Sequence, residues 1–153
     1  MKLTYVLAKI LKKNSVKQVF GLQGGAVVHI FDSLEKYKIQ VTYTNHEESA
    51  ALAATANAKI NENIGCVVVT TGPGSTNAIT GLLAAWQDSI PCLFISGQAR
   101  STHVSYGKKV RQVGTQEVNI CDIVRPITKY TKFINNKNNL FLYNHSSSFR
   151  NYI

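Results

Sequence analysis

Two adjacent glutamates, Glu47 and Glu48, stand where a short alternating stretch gives way to an alanine-rich run. Before them Ile39, Val41 and Tyr43 alternate with polar residues, the period of a strand; after them the run to Lys59 has high helix propensity. A carboxylate at such a junction can do proton chemistry. The helix N-terminus favours its charged form and burial against apolar walls favours its neutral form, so it can share a proton with a ligand nitrogen. Open α/β sheets take their ligands at this position, beyond the carboxyl ends of the strands. A purely structural reading stands beside this one, because acidic residues in a first helical turn complement the dipole. Spacing alone leaves both open. His46-Glu47-Glu48-Ser49-Ala50 also begins like a zinc-protease helix, but Ala50 occupies the place of the second His, so the motif does not support metal chemistry.

The elements that must position these carboxylates read as follows. Leu3, Val6, Leu7, Ile10 and Leu11 form one face of a first helix. Residues 16–20 predict a strand, Gly21-Leu22-Gln23-Gly24-Gly25 a tight turn, and Val27, Ile30, Phe31 and Leu34 the stripe of a second helix. Gly65-Cys66-Val67-Val68-Val69-Thr70-Thr71 is a continuous β-branched run, as expected of a strand covered on both faces at the centre of a parallel sheet. In the following Gly72-Pro73-Gly74-Ser75-Thr76-Asn77, Ser75 or Thr76 is expected to cap the next helix, which carries Ile79, Leu82, Leu83 and Trp86 and ends near Ser89. Residues 91–96 predict another buried strand, residues 117–124 a helix and residues 127–134 a strand. The alternation specifies an α/β fold, a three-layer doubly wound domain with a mainly parallel sheet. Neither glycine turn fits a Walker loop or GxGxxG, and each also serves simply to join a strand to a helix.

The length of 153 residues supports one domain with a real core, and 44% hydrophobic and 16% charged residues fit a soluble globular protein. The net charge of +9 is concentrated at the ends. Residues 1–17 hold five lysines and no acid, residues 18–99 three lysines against six acids, and residues 100–153 nine basic groups against two acids. With no aromatic interleaving or nucleic-acid motif in either basic end, nucleic acid is not an expected partner. Cys66, Cys92 and Cys121 form no CxxC pair and read as buried reduced thiols, which, with no spanning apolar run and no signal-peptide core, predicts a cytoplasmic protein and no membrane partner.

Several motifs occur in one order and spacing: Val19-Phe20-Gly21-Leu22-Gln23-Gly24-Gly25-Ala26, His46-Glu47-Glu48 with its alanine helix, the stretch from Thr71-Gly72-Pro73-Gly74 to Gly81, Asp88-Ser89-Ile90-Pro91, Ser96-Gly97-Gln98, and Gln116-Glu117 leading to Arg125-Pro126-Ile127-Thr128-Lys129. Over residues 1–134 the chain resembles the N-terminal pyrimidine-binding domain of thiamine-diphosphate-dependent enzymes, within them the acetolactate synthase (acetohydroxyacid synthase) group. The resemblance implies that Glu47 is the catalytic group, hydrogen-bonding a ring nitrogen of the aminopyrimidine and favouring the imino tautomer that removes the thiazolium proton. It implies Gly24, Gly25, Pro73, Gly74 and Asn77 at the cofactor, Gln116 and Thr115 on the substrate side, and Glu48 and Gln98 in support. The cofactor it implies is thiamine diphosphate, bound at its pyrimidine end only, with Mg²⁺ expected from a diphosphate-binding domain elsewhere.

Departures from the family pattern are Gln23 for a proline, Ala56-Asn57 for Gly-Tyr, and Thr115 for a phenylalanine, the last leaving the particular keto acid open. Full chains of the family continue to a diphosphate-binding domain with a Gly-Asp-Gly metal motif, which this sequence lacks. Residues 135–153 read as an irregular tail, like a truncated or frame-shifted end. The leading expectation is therefore the pyrimidine-binding half of a carboligase or decarboxylase acting on 2-keto acids, inactive alone. Its partner is a diphosphate-binding domain of another chain or of a missing remainder, in a homo-oligomer when full-length. Two alternatives are one subunit of a split thiamine-diphosphate decarboxylase and a non-catalytic dimerisation module.

Overall fold

The computed structural model describes residues 2–135. Helix α1 (Leu3–Lys13) buries Val6, Ile10 and Leu11 and carries Lys12 and Lys13 in its last turn, where cations complement the dipole. The chain then alternates through β1 (Gln18–Gly21), α2 (Val28–Lys36), β2 (Gln40–Tyr43), α3 (Glu47–Asn61) and β3 (Gly65–Val69). Two helices, α4 (Pro73–Asn77) and α5 (Ile79–Gln87), lead to β4 (Cys92–Ser96). Beyond lie a 3-10 turn at Ser101–His103, a loop, α6 (Ile120–Val124) and a second 3-10 turn at Arg125–Ile127.

The four strands are all parallel, in the order β2-β1-β3-β4. From β1 the chain moves outward to β2, then crosses back over β1 to reach β3. That reversal opens a crevice between the carboxyl ends of β1 and β3, the place where doubly wound sheets bind ligands.

Side chains alternate across each strand and so feed two cores. On one face Val19, Cys66 and Val68 pack with Ala8, Leu11, Phe31 and Leu34 of α1 and α2; on the other Phe20, Val67 and Val69 pack with Ala50, Ala51 and Ala54 of α3. The unbroken apolar run of β3 is thus explained, and the domain has three layers. Each fully buried valine contributes about 1.5–3 kcal/mol, enough to offset roughly 1–2 kcal/mol of backbone ordering per residue. The alanines of α3 serve a second purpose, since α5 approaches so closely that a Cβ at Gly81 would lie 2.4 Å from Ala51 Cβ.

Several expectations are corrected. Ser75 and Thr76 do not cap a helix: α4 starts earlier, with Gly72 as the flanking residue and Pro73 as the first helical one, and both hydroxyls donate backwards, to Gly72 O and Pro73 O. Proline suits that first position because its missing N–H has no intrahelical partner to lose. Residues 127–134 form no strand. The 3-10 turn Arg125–Ile127 ends at Thr128, whose backbone is extended and whose Oγ1 donates back to Val124 O at 2.9 Å. The helix predicted over 117–124 is the shorter α6, and β4 is a half-buried edge strand. Of the cysteines Cys66 alone is fully buried, and burial pushes its thiol up to about 12, which makes it chemically inert. The expected irregular tail, apart from Asn135, lies outside the described residues.

Candidate functional site

The turns that follow β1 and β3 meet over Thr70. A Cβ at Gly24 would come 2.6 Å from Thr70 Cβ, and one at Gly74 would come 2.5 Å from Thr70 Cγ2. Both turns therefore need a residue without a side chain at the contact. Thr70, which the sequence analysis did not single out, is the floor on which they close.

Glu47 sits above this floor as the first residue of α3, with only 8% of its surface exposed. Its Oε2 accepts a hydrogen bond from Asn77 Nδ2 at 3.0 Å. Its Oε1 lies beside Gly74, 3.3 Å from where a Cβ would stand. The start of α3 is set by His46, whose backbone is extended and whose Nδ1 accepts from the Glu48 N–H at 3.2 Å; Thr44 Oγ1 donates to the His46 carbonyl at 2.8 Å. Histidine is not among the usual N-cap residues, so its type did not announce this role. Glu48 is half-buried and supplies its N–H to the cap.

A second group of residues braces the same turn from the other side. Thr71 Oγ1 lies within donating distance of Gln98 Oε1 at 3.0 Å and of Gln116 O at 3.2 Å. Gln98 Nε2 in turn donates to Val118 O at 2.8 Å, so this side chain straps the end of β4 to the segment after Gln116. Gly72 has φ +62, and a Cβ there would lie 2.4 Å from Gln116 O. Gln116 and Thr115 are exposed at the rim, as is Pro73. Gly25 stands apart, exposed, with nothing within 4 Å of a Cβ built on it. A separate groove of about 880 Å³ runs beside β4, and Glu47 is not among its walls.

A buried carboxylate with one oxygen held by an amide stands here at a helix N-terminus beside the switch point of a parallel sheet, where such sheets meet their ligands. The sheet order and this crevice define a doubly wound, ligand-binding α/β domain. The family described as thiamine pyrophosphate enzyme, N-terminal TPP binding domain, matches residues 1–123, and the chain belongs to it. It is 37% identical over 127 residues to the acetolactate synthase large subunit of Haemophilus influenzae and 38% identical over 127 residues to the acetolactate synthase isozyme 3 large subunit of Escherichia coli. Each alignment covers 82% of this chain and 21% of the relative. A probable acetolactate synthase large subunit of Methanocaldococcus jannaschii is 34% identical over 130 residues, 85% of this chain and 21% of its own. The chain spans about one fifth of the length of the relatives it matches.

Proposed function

We propose that this chain is the pyrimidine-binding half of a thiamine-diphosphate-dependent carboligase or decarboxylase acting on 2-keto acids, acetolactate-synthase-like, with Glu47 as the group that handles the proton. The observation that carries the reading is the buried Glu47 carboxylate at the N-terminus of α3, one oxygen tied to Asn77 and the other beside Gly74. Bound thiamine diphosphate would supply a carbanion nucleophile at the thiazolium C2, formed with the help of its own aminopyrimidine. Glu47 Oε1 holds the proton shared with a pyrimidine nitrogen, while Asn77 fixes Oε2 so that the carboxylate keeps one orientation. Gly24 and Gly74 let the two segments close on Thr70, and the floor they form would support the bound pyrimidine. Gln98 and Thr71 hold the substrate-side segment bearing Thr115 and Gln116, and Glu48 supports the cap.

The diphosphate end needs different residues. In this reading Mg²⁺ and the diphosphate are bound by oxygen ligands of a partner domain. No described helix is long and apolar enough to cross a membrane. The exposed Leu83 and Trp86 of α5 favour association with that domain or with a second copy. Sedimentation of a clean monomer at high concentration would count against that face.

The test joins residues 1–134 to the remaining part of the Escherichia coli relative. The expected result is carbon dioxide release from pyruvate that depends on added thiamine diphosphate and Mg²⁺, with no micromolar, Mg²⁺-dependent affinity in the 153-residue chain alone. A folded fusion that binds the cofactor but turns over no 2-keto acid would overturn the assigned reaction.

A further inference from the structure

Within the excursion between β4 and α6, the loop of residues 105–114 is tied at both ends to one carboxylate. Glu117 Oε1 accepts from the Ser105 N–H and, at 2.7 Å, from Ser105 Oγ, while Oε2 accepts from the N–H groups of Val113 and Gly114 at 3.0 and 3.3 Å. The Glu117 N–H returns to Gly114 O at 3.3 Å, and Gln112 Nε2 donates to the same carbonyl at 2.8 Å. Next to this knot Gln116 has φ +56, a left-handed backbone that a residue with a side chain adopts only when its surroundings impose it. On one side its carbonyl is fastened to Thr71 and pressed against Gly72. On the other stands Glu117.

We propose that Glu117 is a positioning residue: by binding both ends of the 105–114 loop it holds Gln116 in its left-handed conformation against Thr71 and Gly72, and so shapes the wall of the crevice facing the substrate. That the wall faces a substrate rests on the function proposed above; the clamp does not. Hydrogen bonds to an ionised carboxylate are about twice as strong as neutral ones, which is why one side chain can close so long a loop. The donors are neutral: three N–H groups and one hydroxyl, and they hold the Glu117 carboxyl down to about 2. Tyr106 and His103, whose backbone and Cβ pack against Gly114, are the titratable neighbours, with Cys121 and Asp122 beyond Tyr106; Lys108, Lys109 and Arg111 lie on the exposed side of the loop. Glutamine at 117 would keep the length and one acceptor oxygen but turn an NH₂ group toward donors, so one end of the loop must open.

The experiment uses the ¹⁵N-labelled 153-residue chain and its Glu117→Gln variant. Trypsin should cut the variant after Lys108, Lys109 or Arg111 about tenfold faster, the opening expected from losing a charge-assisted hydrogen bond, with cleavage after Lys36 unchanged. The Gln116 N–H resonance should shift and broaden in the variant. In the unsubstituted chain the Ser105 and Gly114 amide shifts should show no step near about 4.3, where an ordinary glutamate would move them, and should move only below about pH 4. Ser105→Ala removes the hydroxyl donor alone and should give the same changes at smaller size, which keeps the test open if Glu117→Gln fails to fold. An unchanged Gln116 resonance alongside freed Ser105 and Gly114 amides overturns the proposal, as does a Ser105 amide titrating near the ordinary value. In the joined enzyme Glu117→Gln should raise KM for the keto acid and leave cofactor C2 exchange intact; an unchanged KM also overturns it. An unsubstituted fusion without turnover speaks against the proposed function alone, since the amide and trypsin readouts need no cofactor.

Discussion

Asn77 donates its side-chain amide to Oε2 of Glu47 at 3.0 Å, and this single bond joins the helix that follows β2 to the helix that follows β3. Because Glu47 is 8% exposed, removing the donor leaves a buried carboxylate short of a partner. Asn77→Ala should cost about 1–3 kcal/mol in chemical denaturation. Asn77→Asp should cost more at neutral pH, since it sets two carboxylates face to face, and part of the loss should return on acidification. Equal stability of the two variants at neutral pH would contradict the role given to the amide.

The two glycine turns press on one side chain, which makes their energetics non-additive. Gly74→Ala puts a methyl 2.5 Å from Thr70 Cγ2 and should destabilise the fold by about 1–3 kcal/mol, as overpacking does. Thr70→Ala in the same chain removes the colliding group and should recover much of that loss. A double-mutant cycle with no coupling between these positions would refute the clasp around Thr70.

The Glu117 carboxyl is held down to about 2, chiefly by the Ser105 N–H and with further help from Val113, Ser105 Oγ and Gly114. A depressed folded-state value means that its contribution is complete above the unfolded value of about 4.3 and is lost as pH falls toward the folded one. The stability difference between the unsubstituted chain and Glu117→Gln should therefore be flat at neutral pH, shrink through the window between those values and vanish near its lower end. A difference that stays constant down to about pH 2 would remove charge from the explanation.

Much of this architecture could be read from residue pattern because the pattern is local. The valine run of β3, with its two faces feeding two cores, and the passage from Tyr43 through Glu47 into an alanine helix each declare themselves within a few residues. Where local pattern misled, a backbone partner elsewhere decided. Ser75 and Thr76 have the types of capping residues, yet Pro73 had already started α4. Ile127 and Ile134 suggest a strand, but Thr128 bonds back to Val124 and no sheet partner is engaged among the described residues. The clasp of Gly24 and Gly74 on Thr70 and the left-handed Gln116 depend on pairings between separate segments, so no spacing in the chain announces them; the histidine cap is local, but its residue type is not a usual capping one.

The most direct test of the central claim compares Glu47→Gln with Glu48→Gln in the joined enzyme by hydrogen–deuterium exchange at C2 of bound thiamine diphosphate. An amide at 47 cannot share the proton, so exchange should slow by about 10²- to 10⁴-fold, the usual reach of general acid–base catalysis. The change at 48 should leave exchange nearly untouched, because that residue serves the helix cap through its N–H. Equal losses at the two positions, or a larger loss at Glu48, would contradict the assignment of the proton to Glu47.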